Sequence, residues 1–156
     1  MNLSSYIELS IFDGLAQSDL DILGPFFNPQ TWVAGTVLFH QGDQADFLYV
    51  VVKGEIVLRY KPDDGPQMIL AHIQPGGIFG WSAAMNNPVY TSGAACVLDS
   101  ELLQIRGGDL RAICKDHPAL GKIVLDRLAH ILAERKQIQH GSISNMLANE
   151  IGPKNK

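Results

Sequence analysis

At 156 residues the chain has the length of one domain with a sizeable core, and its 46% hydrophobic and 18% charged residues exclude a disordered polymer. The formal net charge of −4 and the isoelectric point near 5.6 argue against a nucleic-acid-binding surface, which is normally basic. No apolar run approaches the length that spans a bilayer, and the N-terminus lacks the basic segment of a secretory signal. We therefore expect a cytoplasmic protein with neither a nucleic-acid nor a membrane partner.

The first predicted elements are short helices between residues 4 and 28. Apolar residues recur there at helical spacing, and Asp13-Gly14 interrupts the pattern. The run from Ser18 to Asp21 has the serine and the acid of a capping box, so we expect the second helix to begin there. Gly24-Pro25 should end that helix, because proline lacks a backbone N–H and clashes with the preceding helical turn.

A different pattern begins at Thr31, where short runs rich in valine and aromatic residues alternate with glycines. This pattern is typical of short β-strands joined by tight turns. The turn sequence 61–66 predicts a hairpin between strands at 55–60 and 67–73, and two further strands are expected near 91–98 and 101–106. Many short strands at this spacing favour an antiparallel β-roll, a barrel similar to a jelly roll.

The helical period returns after Gly107-Gly108. One helix is expected from about Asp109, and Pro118, in a favoured first position, should begin a longer helix that reaches residue 140. The apolar stripe of this long helix either contacts a partner helix as well as the roll, or covers only the chain's own core. Residues 141–156 are polar and are expected to form a flexible tail.

Together these elements predict an α+β fold that is mainly β: an antiparallel roll flanked by an N-terminal helical segment and a long C-terminal helix. We expect a single domain over residues 1–140, with the roll at about 30–106 and the C-terminal helices at about 109–140.

One stretch, from Gln74 to Ala94, has the pattern of a binding site. Its glycines at 76, 77 and 80 let the backbone approach a ligand closely, and residues 82–85 can form one helical turn. The start of such a turn offers free N–H groups to an anion. The order of strand, glycine turn, helical turn and strand is therefore the outline of a phosphate cradle.

A combination of positions extends this pattern over most of the chain: glycines at 35, 42, 54 and 80, with Phe39, Asp43 and Tyr49. In this combination the sequence resembles the cyclic-nucleotide-binding domain of catabolite-activator-type regulators and protein kinase A regulatory subunits, over about residues 10–140. The resemblance implies a β-roll that holds a small-molecule ligand between flanking helices. It also implies a cyclic nucleotide, cyclic AMP or cyclic GMP, as the effector, with no further cofactor.

The family's phosphate cassette reads Phe-Gly-Glu, an aliphatic turn and then Arg. The resemblance implies that the glutamate holds the ribose 2′-hydroxyl and the arginine holds the cyclic phosphate. This sequence keeps Phe79 and Gly80 but has Trp81 at the glutamate position and Tyr90 at the arginine position. Because losing one partner of a buried charged pair costs about 2–5 kcal/mol, we expect the ordinary cyclic AMP pose to bind weakly.

The candidate ligand-binding residues are those of this cassette: Phe79, Gly80, Trp81, Ser82, Ala83, Tyr90 and Thr91. Trp81 either stacks on a planar ligand or plugs the pocket that a nucleotide would fill. Tyr90 either donates its hydroxyl to a ligand or closes the pocket structurally. Ser82 and Thr91 either contact a ligand or are ordinary turn residues.

Neither catalysis nor metal binding is expected. The five histidines are isolated, the two cysteines form no metal-ligand set, and no nucleophile elbow or Walker-type loop is present. We therefore predict a stand-alone regulatory sensor for a cyclic nucleotide or another small anionic ligand, acting as a homodimer through the helix at 118–140 and on an unidentified protein partner. The alternative is a degenerate domain that binds no nucleotide and serves as a dimerising or protein-interaction module.

Overall fold

A computed structural model describes residues 2–138, with side chains described as far as Glu134. Its strands are β1 (Asn28–Trp32), β2 (Val37–Phe39), β3 (Phe47–Lys53), β4 (Ile56–Tyr60), β5 (Met68–Ile73), β6 (Ile78–Phe79), β7 (Gly93–Cys96) and β8 (Ser100–Arg106). Its α-helices are α1 (Gln17–Leu23), α2 (Trp81–Ala84), α3 (Gly107–Asp116) and α4 (Pro118–Ile138), and single 3₁₀ turns lie at Leu3–Tyr6, Ser10–Phe12 and Gly24–Phe26. Across these residues, no helix has the length and apolarity that a membrane crossing requires.

The strands form two antiparallel four-stranded sheets, with the orders β1-β8-β3-β6 and β2-β7-β4-β5. Buried side chains from both sheets share one hydrophobic cluster, so the two sheets enclose the interior of a roll. The predicted fold, mainly β with an antiparallel roll flanked by helices, is confirmed. The hairpin predicted around the 61–66 turn is β4–β5, in which Ile56 pairs with Ile73 and Tyr60 with Met68.

The first sheet separates two apolar cores, because side chains alternate between its faces along each strand. We call the cluster inside the roll the roll core; it contains Phe39, Tyr49, Val51, Ile56, Leu58, Ala71, Ile73, Phe79, Tyr90, Ala94, Cys96 and Leu102. The cluster on the other face is the helical core, to which β3 and β8 contribute Leu48, Val50, Leu103 and Ile105, and to which all three longer helices contribute side chains. Successive residues of β3 therefore belong to different cores.

The long helix α4 covers the helical core with a stripe of buried side chains at helical spacing: Leu120, Val124, Leu128 and Ile131. Gly121 lets α4 approach α3 closely, since a Cβ at that position would lie 2.5 Å from the Cα of Cys114. Pro118 begins the helix as expected. The last expected residues of this helix, 139 and 140, and the expected flexible tail at 141–156 lie outside the described residues.

The prediction that Ser18 caps the second helix is wrong. Helix α1 begins at Gln17 with Ala16 as its N-cap, and no side chain hydrogen-bonds the cap. The acid of the expected capping box, Asp21, instead accepts a hydrogen bond of 2.9 Å from the side-chain amide of Gln17, one turn earlier. The end of α1 at Leu23 agrees with the expected effect of Gly24-Pro25.

Candidate functional site

Gly80 is the residue that turns the chain from β6 into α2. Its φ of +81° lies in the left-handed region, and a Cβ there would come within 2.6 Å of the carbonyl oxygen of Phe47 on β3. A residue with a side chain would therefore be strained and would also clash. The glycine thus places α2 directly against β3, as the sequence pattern of a cradle requires.

Tyr90 is bound to the backbone of the roll. Its hydroxyl donates a hydrogen bond of 2.6 Å to the carbonyl oxygen of Phe47 and accepts one of 2.9 Å from the N–H of the same residue. Its ring stacks on Phe39, with 3.6 Å between centroids and 11° between planes. The side chain is 5% exposed, and this burial raises the pKa of the Tyr90 hydroxyl. The single proton of this hydroxyl is therefore already engaged in a hydrogen bond to the protein backbone.

The roll core beside the cassette is aromatic. Phe79 is fully buried and stacks on Tyr49, with 4.7 Å between centroids and 7° between planes. Phe39 lies 6.1 Å from both of these rings. Burial also raises the pKa of the Tyr49 hydroxyl. Aromatic side chains of the roll therefore pack against one another beside the cassette, and Tyr90 is stacked on Phe39.

Trp81 has a different environment from Tyr90. It is half-buried and packs against the helical core, whereas the roll core contains no contribution from it among the described residues. The carbonyl of Ala83, two residues later, accepts a hydrogen bond of 2.8 Å from the Nη1 of Arg111 on α3. The backbone of Gly107, the first residue of α3, packs against the same carbonyl. Helix α2 is therefore attached to the helical side of the molecule.

A cavity of about 280 Å³, the cassette cavity, lies beside α2. It is lined by Phe39, Leu58, Leu70, Gly80, Trp81, Ser82, Asn87, Tyr90, Thr91 and Ser92. The structure thus brings together Gly80, Trp81, Ser82, Tyr90 and Thr91 of the predicted site residues. The other two, Phe79 and Ala83, are buried and do not line the cavity.

Sequence reasoning missed half of this lining. Asn87 and Ser92 lie between α2 and β7, within the stretch from Gln74 to Ala94, and their polar side chains could have identified them as candidates. Leu58 and Leu70 come from the β4–β5 hairpin, and only the three-dimensional arrangement of the strands brings them to α2. Phe39 belongs to the combination of positions that carries the family resemblance.

Ser82 is a buried residue of the lining whose hydroxyl has no partner. The residue is 8% exposed, and its hydroxyl makes no hydrogen bond with any residue that the structure describes, so its oxygen is accessible from the cavity. The remaining polar side chains of the lining are also uncharged; they are Trp81, Asn87, Tyr90, Thr91 and Ser92. Such a cavity can offer hydroxyl and amide groups to a ligand, together with the apolar surfaces of Phe39 and the two leucines.

A second and larger cavity, of about 450 Å³, lies between the β5–β6 turn and α4. Its polar side chains include His72, whose Nδ1 lies 2.7 Å from the Oε2 of Glu55, and Glu134. No residue is shared between the linings of the two cavities. This larger cavity is therefore separate from the cassette cavity.

Neither cysteine is paired. Cys96 is buried in the roll core and Cys114 is half-buried on α3, and burial raises the pKa of both thiols. A raised thiol pKa lowers the thiolate fraction and hence the reactivity. Within the described residues, no three His, Cys, Asp or Glu side chains come together as a metal-ligand set.

Three comparisons with known proteins bear on this site. The family model described as cyclic nucleotide-binding domain matches residues 29–117. The cyclic AMP receptor protein of Thermus thermophilus is 30% identical over 125 residues, which cover 80% of this chain and 56% of that protein. Mouse patatin-like phospholipase domain-containing protein 7 is 29% identical over 111 residues, covering 70% of this chain but 8% of the relative.

The fold is shared with a solved structure, a cyclic nucleotide-binding domain from Methylobacillus flagellatus KT. The two superpose with a TM-score of 0.80 at 19% identity, over 91% of this chain and 84% of the other. This chain thus spans little more than half the length of the receptor protein and a small part of the phospholipase. The residues that the family model matches run from β1 to the end of α3 and include the whole cassette.

Proposed function

This chain belongs to the cyclic nucleotide-binding domain family, and from that premise we propose that it is a regulatory sensor whose small-molecule ligand occupies the cassette cavity. The observation that supports the proposal is the cavity itself, which lies at α2 and has an unpartnered hydroxyl in its lining. Gly80, Trp81, Ser82 and Thr91 are the ligand contacts in this proposal. Phe79, Ala83 and Tyr90 maintain the shape of the cavity, because all three are buried.

Family membership makes a cyclic nucleotide, cyclic AMP or cyclic GMP, the first ligand to test. The similarity to the cyclic AMP receptor protein of Thermus thermophilus supports the same choice. The two charged positions of the family cassette carry Trp81 and Tyr90 here, and Tyr90 is fully engaged with Phe47. We therefore expect these nucleotides to bind more weakly than to a cassette with both charges.

A ligand in the cassette cavity would act on the helices through α2. Trp81 packs on the helical core, and Arg111 joins the end of α2 to α3. Helix α3 in turn contacts α4 closely at Gly121. Ligand binding would shift the population between two packings of these helices. A protein partner, not yet identified, would recognise one of these packings in the cytoplasm. The chain itself carries out no catalysis in this proposal.

A thermal-shift panel of cyclic AMP, cyclic GMP, adenosine and guanosine tests the sensor proposal. A ligand that binds only the native state raises the melting temperature in a concentration-dependent way. We expect at least one member of the panel to raise the melting temperature of the intact chain, and we expect the shift to fall in Ser82→Ala. If none of the four compounds changes the melting temperature at millimolar concentration, the sensor proposal is wrong.

The second candidate function, a dimerising or protein-interaction module, has one observation in its favour. Leu125, Ala129 and Leu132 recur on α4 at spacings of four and three beside the buried stripe, and Leu125 is 39% exposed. A homodimer through α4 would cover this row. Light scattering at micromolar concentration should then give a dimer mass for the intact chain and a monomer mass for Leu125→Glu. Ile123→Glu is the matched control, because Ile123 is also 39% exposed but lies on the other side of the buried stripe.

A further inference from the structure

We propose that the cassette cavity selects an uncharged ligand that carries hydroxyl or amine groups, rather than a cyclic phosphate or another anion. This inference rests on the proposed function, because it concerns the ligand of the same cavity. It narrows the ligand class that the family alone would suggest. Four observations carry it: the lining, the neighbouring charges, the bonds of Tyr90 and the hydroxyl of Ser82.

The lining of the cassette cavity contains no charged side chain among the described residues. Its polar side-chain groups are all uncharged: the hydroxyls of Ser82, Ser92, Thr91 and Tyr90, the amide of Asn87 and the indole N–H of Trp81. Transferring an anion from water into such a site leaves its charge without a counter-ion, whereas an uncharged polar group needs only hydrogen bonds. The composition of the lining therefore favours an uncharged ligand.

The arginines of the roll and α3 do not line the cassette cavity. The guanidinium of Arg106 lies 5.0 Å from the ring centroid of Phe47, and Arg111 donates to the carbonyl of Ala83. Arg59 lines a neighbouring cavity of about 110 Å³, which shares Phe39 with the cassette cavity. The described lining of the cassette cavity therefore supplies no cation to a phosphate.

Two carboxylates act on the Tyr90 hydroxyl. The carboxylates of Asp46 and Asp43 add to the effect of burial in raising the pKa of the Tyr90 hydroxyl, and Asp46 does the same at Tyr49. A field that disfavours a phenolate at Tyr90 also disfavours a phosphate beside it. The carboxylates and the absence of a cation from the described lining therefore both disfavour an anionic ligand.

Tyr90 cannot replace the missing cation as a donor. Its only proton goes to the carbonyl oxygen of Phe47 at 2.6 Å, so a ligand would have to break that bond to gain one. The hydroxyl of Ser82, by contrast, has no partner among the described residues, and its oxygen is accessible from the cavity that Ser82 lines. A hydroxyl can both donate and accept, and it therefore suits a ligand hydroxyl or amine at least as well as an anionic oxygen. Nucleosides are the simplest probes of this class.

Calorimetric titration of the intact chain with two matched pairs tests the inference: adenosine against cyclic AMP, and guanosine against cyclic GMP. We expect one nucleoside to bind about tenfold or more tightly than its cyclic nucleotide, because the cyclic phosphate has no counter-charge. We also expect its affinity to be the same at low and high salt. Tighter or equal binding of the cyclic nucleotides would overturn the inference and leave the sensor proposal standing. Absence of binding by all four would overturn both.

Thr91 offers a way to restore the charge without disturbing Tyr90, because it is exposed at the cavity lining. Both Thr91→Arg and Thr91→Gln remove the Thr91 hydroxyl, so adenosine should bind the two variants with equal affinity. Thr91→Arg should bind cyclic AMP about tenfold more tightly than the matched uncharged variant Thr91→Gln, through a charge-assisted contact. Equal affinities of the two variants for cyclic AMP would contradict the role given to the missing charge.

Ser82→Ala separates this site from other sites on the surface. It should weaken nucleoside binding about fivefold through loss of one hydrogen bond, with Ser18→Ala on the exposed face of α1 as the control. Circular dichroism melts of both variants establish that they fold. Equal nucleoside affinity of Ser82→Ala and Ser18→Ala would place the ligand elsewhere and overturn the inference.

Discussion

The roll core and the helical core share one sheet but differ in what they do at the cassette. The roll core presents a stack of aromatic rings, in which Tyr90 is held by two hydrogen bonds to Phe47. The helical core is mostly aliphatic and receives Trp81 as a half-buried outer member. The two recognition positions of the family cassette are therefore supported by different cores, one fixed by polar and stacking contacts and the other by packing alone.

This difference assigns different roles to the two positions. Tyr90 stabilises the roll, and a ligand cannot use its hydroxyl proton without breaking a bond of the fold. Trp81 touches both the cassette cavity and the helices, so it is placed to transmit occupancy of the cavity to α3 and α4. Each variant below tests one side of this comparison.

The largest expected effect is on stability. Tyr90→Ala should lower the free energy of unfolding by about 3–5 kcal/mol, because it removes a buried ring and leaves a cavity. Trp81→Ala should cost about 2 kcal/mol, because its side chain is only half-buried. Urea denaturation of the two variants and the parent chain measures the difference. A larger loss of unfolding free energy in Trp81→Ala than in Tyr90→Ala would contradict the conclusion that Tyr90 is the more firmly held of the two residues.

Tyr90→Phe isolates the hydroxyl. It keeps the ring on Phe39 but leaves the N–H and carbonyl of Phe47 without their side-chain partner, which should cost about 1–3 kcal/mol of unfolding free energy. The affinity for the preferred ligand should stay unchanged, because in this account the hydroxyl does not contact the ligand. A strong loss of affinity without loss of stability would show that Tyr90 is a ligand contact instead.

The same hydroxyl predicts a pH dependence. Burial raises the pKa of Tyr90 above its ordinary value of 10.0, so the folded state favours the neutral phenol. The corresponding stability is fully present below pH 10.0 and is lost as the pH rises from there through the folded-state pKa. Tyr49 contributes in the same direction, since burial also raises its pKa. The free energy of unfolding should therefore fall more steeply with rising alkaline pH in the parent chain than in Tyr90→Phe. Parallel curves of unfolding free energy against pH would contradict this assignment.

The smallest expected effect concerns the connection between α2 and α3. Arg111→Met removes the hydrogen bond to the Ala83 carbonyl and should cost about 1 kcal/mol. Its main consequence should be that ligand no longer increases hydrogen-exchange protection in α3 and α4, although it still binds. Arg106→Met, which removes only the contact over Phe47, is the control. Retained protection of both helices in Arg111→Met would show that Arg111 does not connect the cassette to the helices.

The fold was predictable wherever a local pattern determines an element. The turn at 61–66 specifies the β4–β5 hairpin, and Pro118 specifies the start of α4. The start of α1 was not predictable from the capping pattern, because Asp21 bonds the side chain of Gln17 rather than the backbone. For the site, the glycines and polar residues of the cassette are adjacent in sequence, whereas Leu58 and Leu70 reach it only through strand pairing.

The role of Tyr90 shows what sequence alone cannot give. The residue type and position allowed both a ligand contact and a structural closure, and only the distances to Phe47 and Phe39 distinguish them. The second cavity, beside α4, could not be predicted from the sequence either, since its lining joins Ser10, the β5–β6 turn and Ile131 from distant parts of the chain.

The cavity that takes the ligand can be identified directly by chemical-shift mapping of the intact ¹⁵N-labelled chain with adenosine and with guanosine. For the nucleoside that binds, we expect the largest shifts at the amides of Ser82, Thr91 and Ser92, at the side-chain amide of Asn87 and at the indole N–H of Trp81. Shifts confined to Ser10, Gly76, Gly77 and Glu134, at the larger cavity, would contradict the assignment of the ligand to the cassette cavity, as would spectra that neither nucleoside changes.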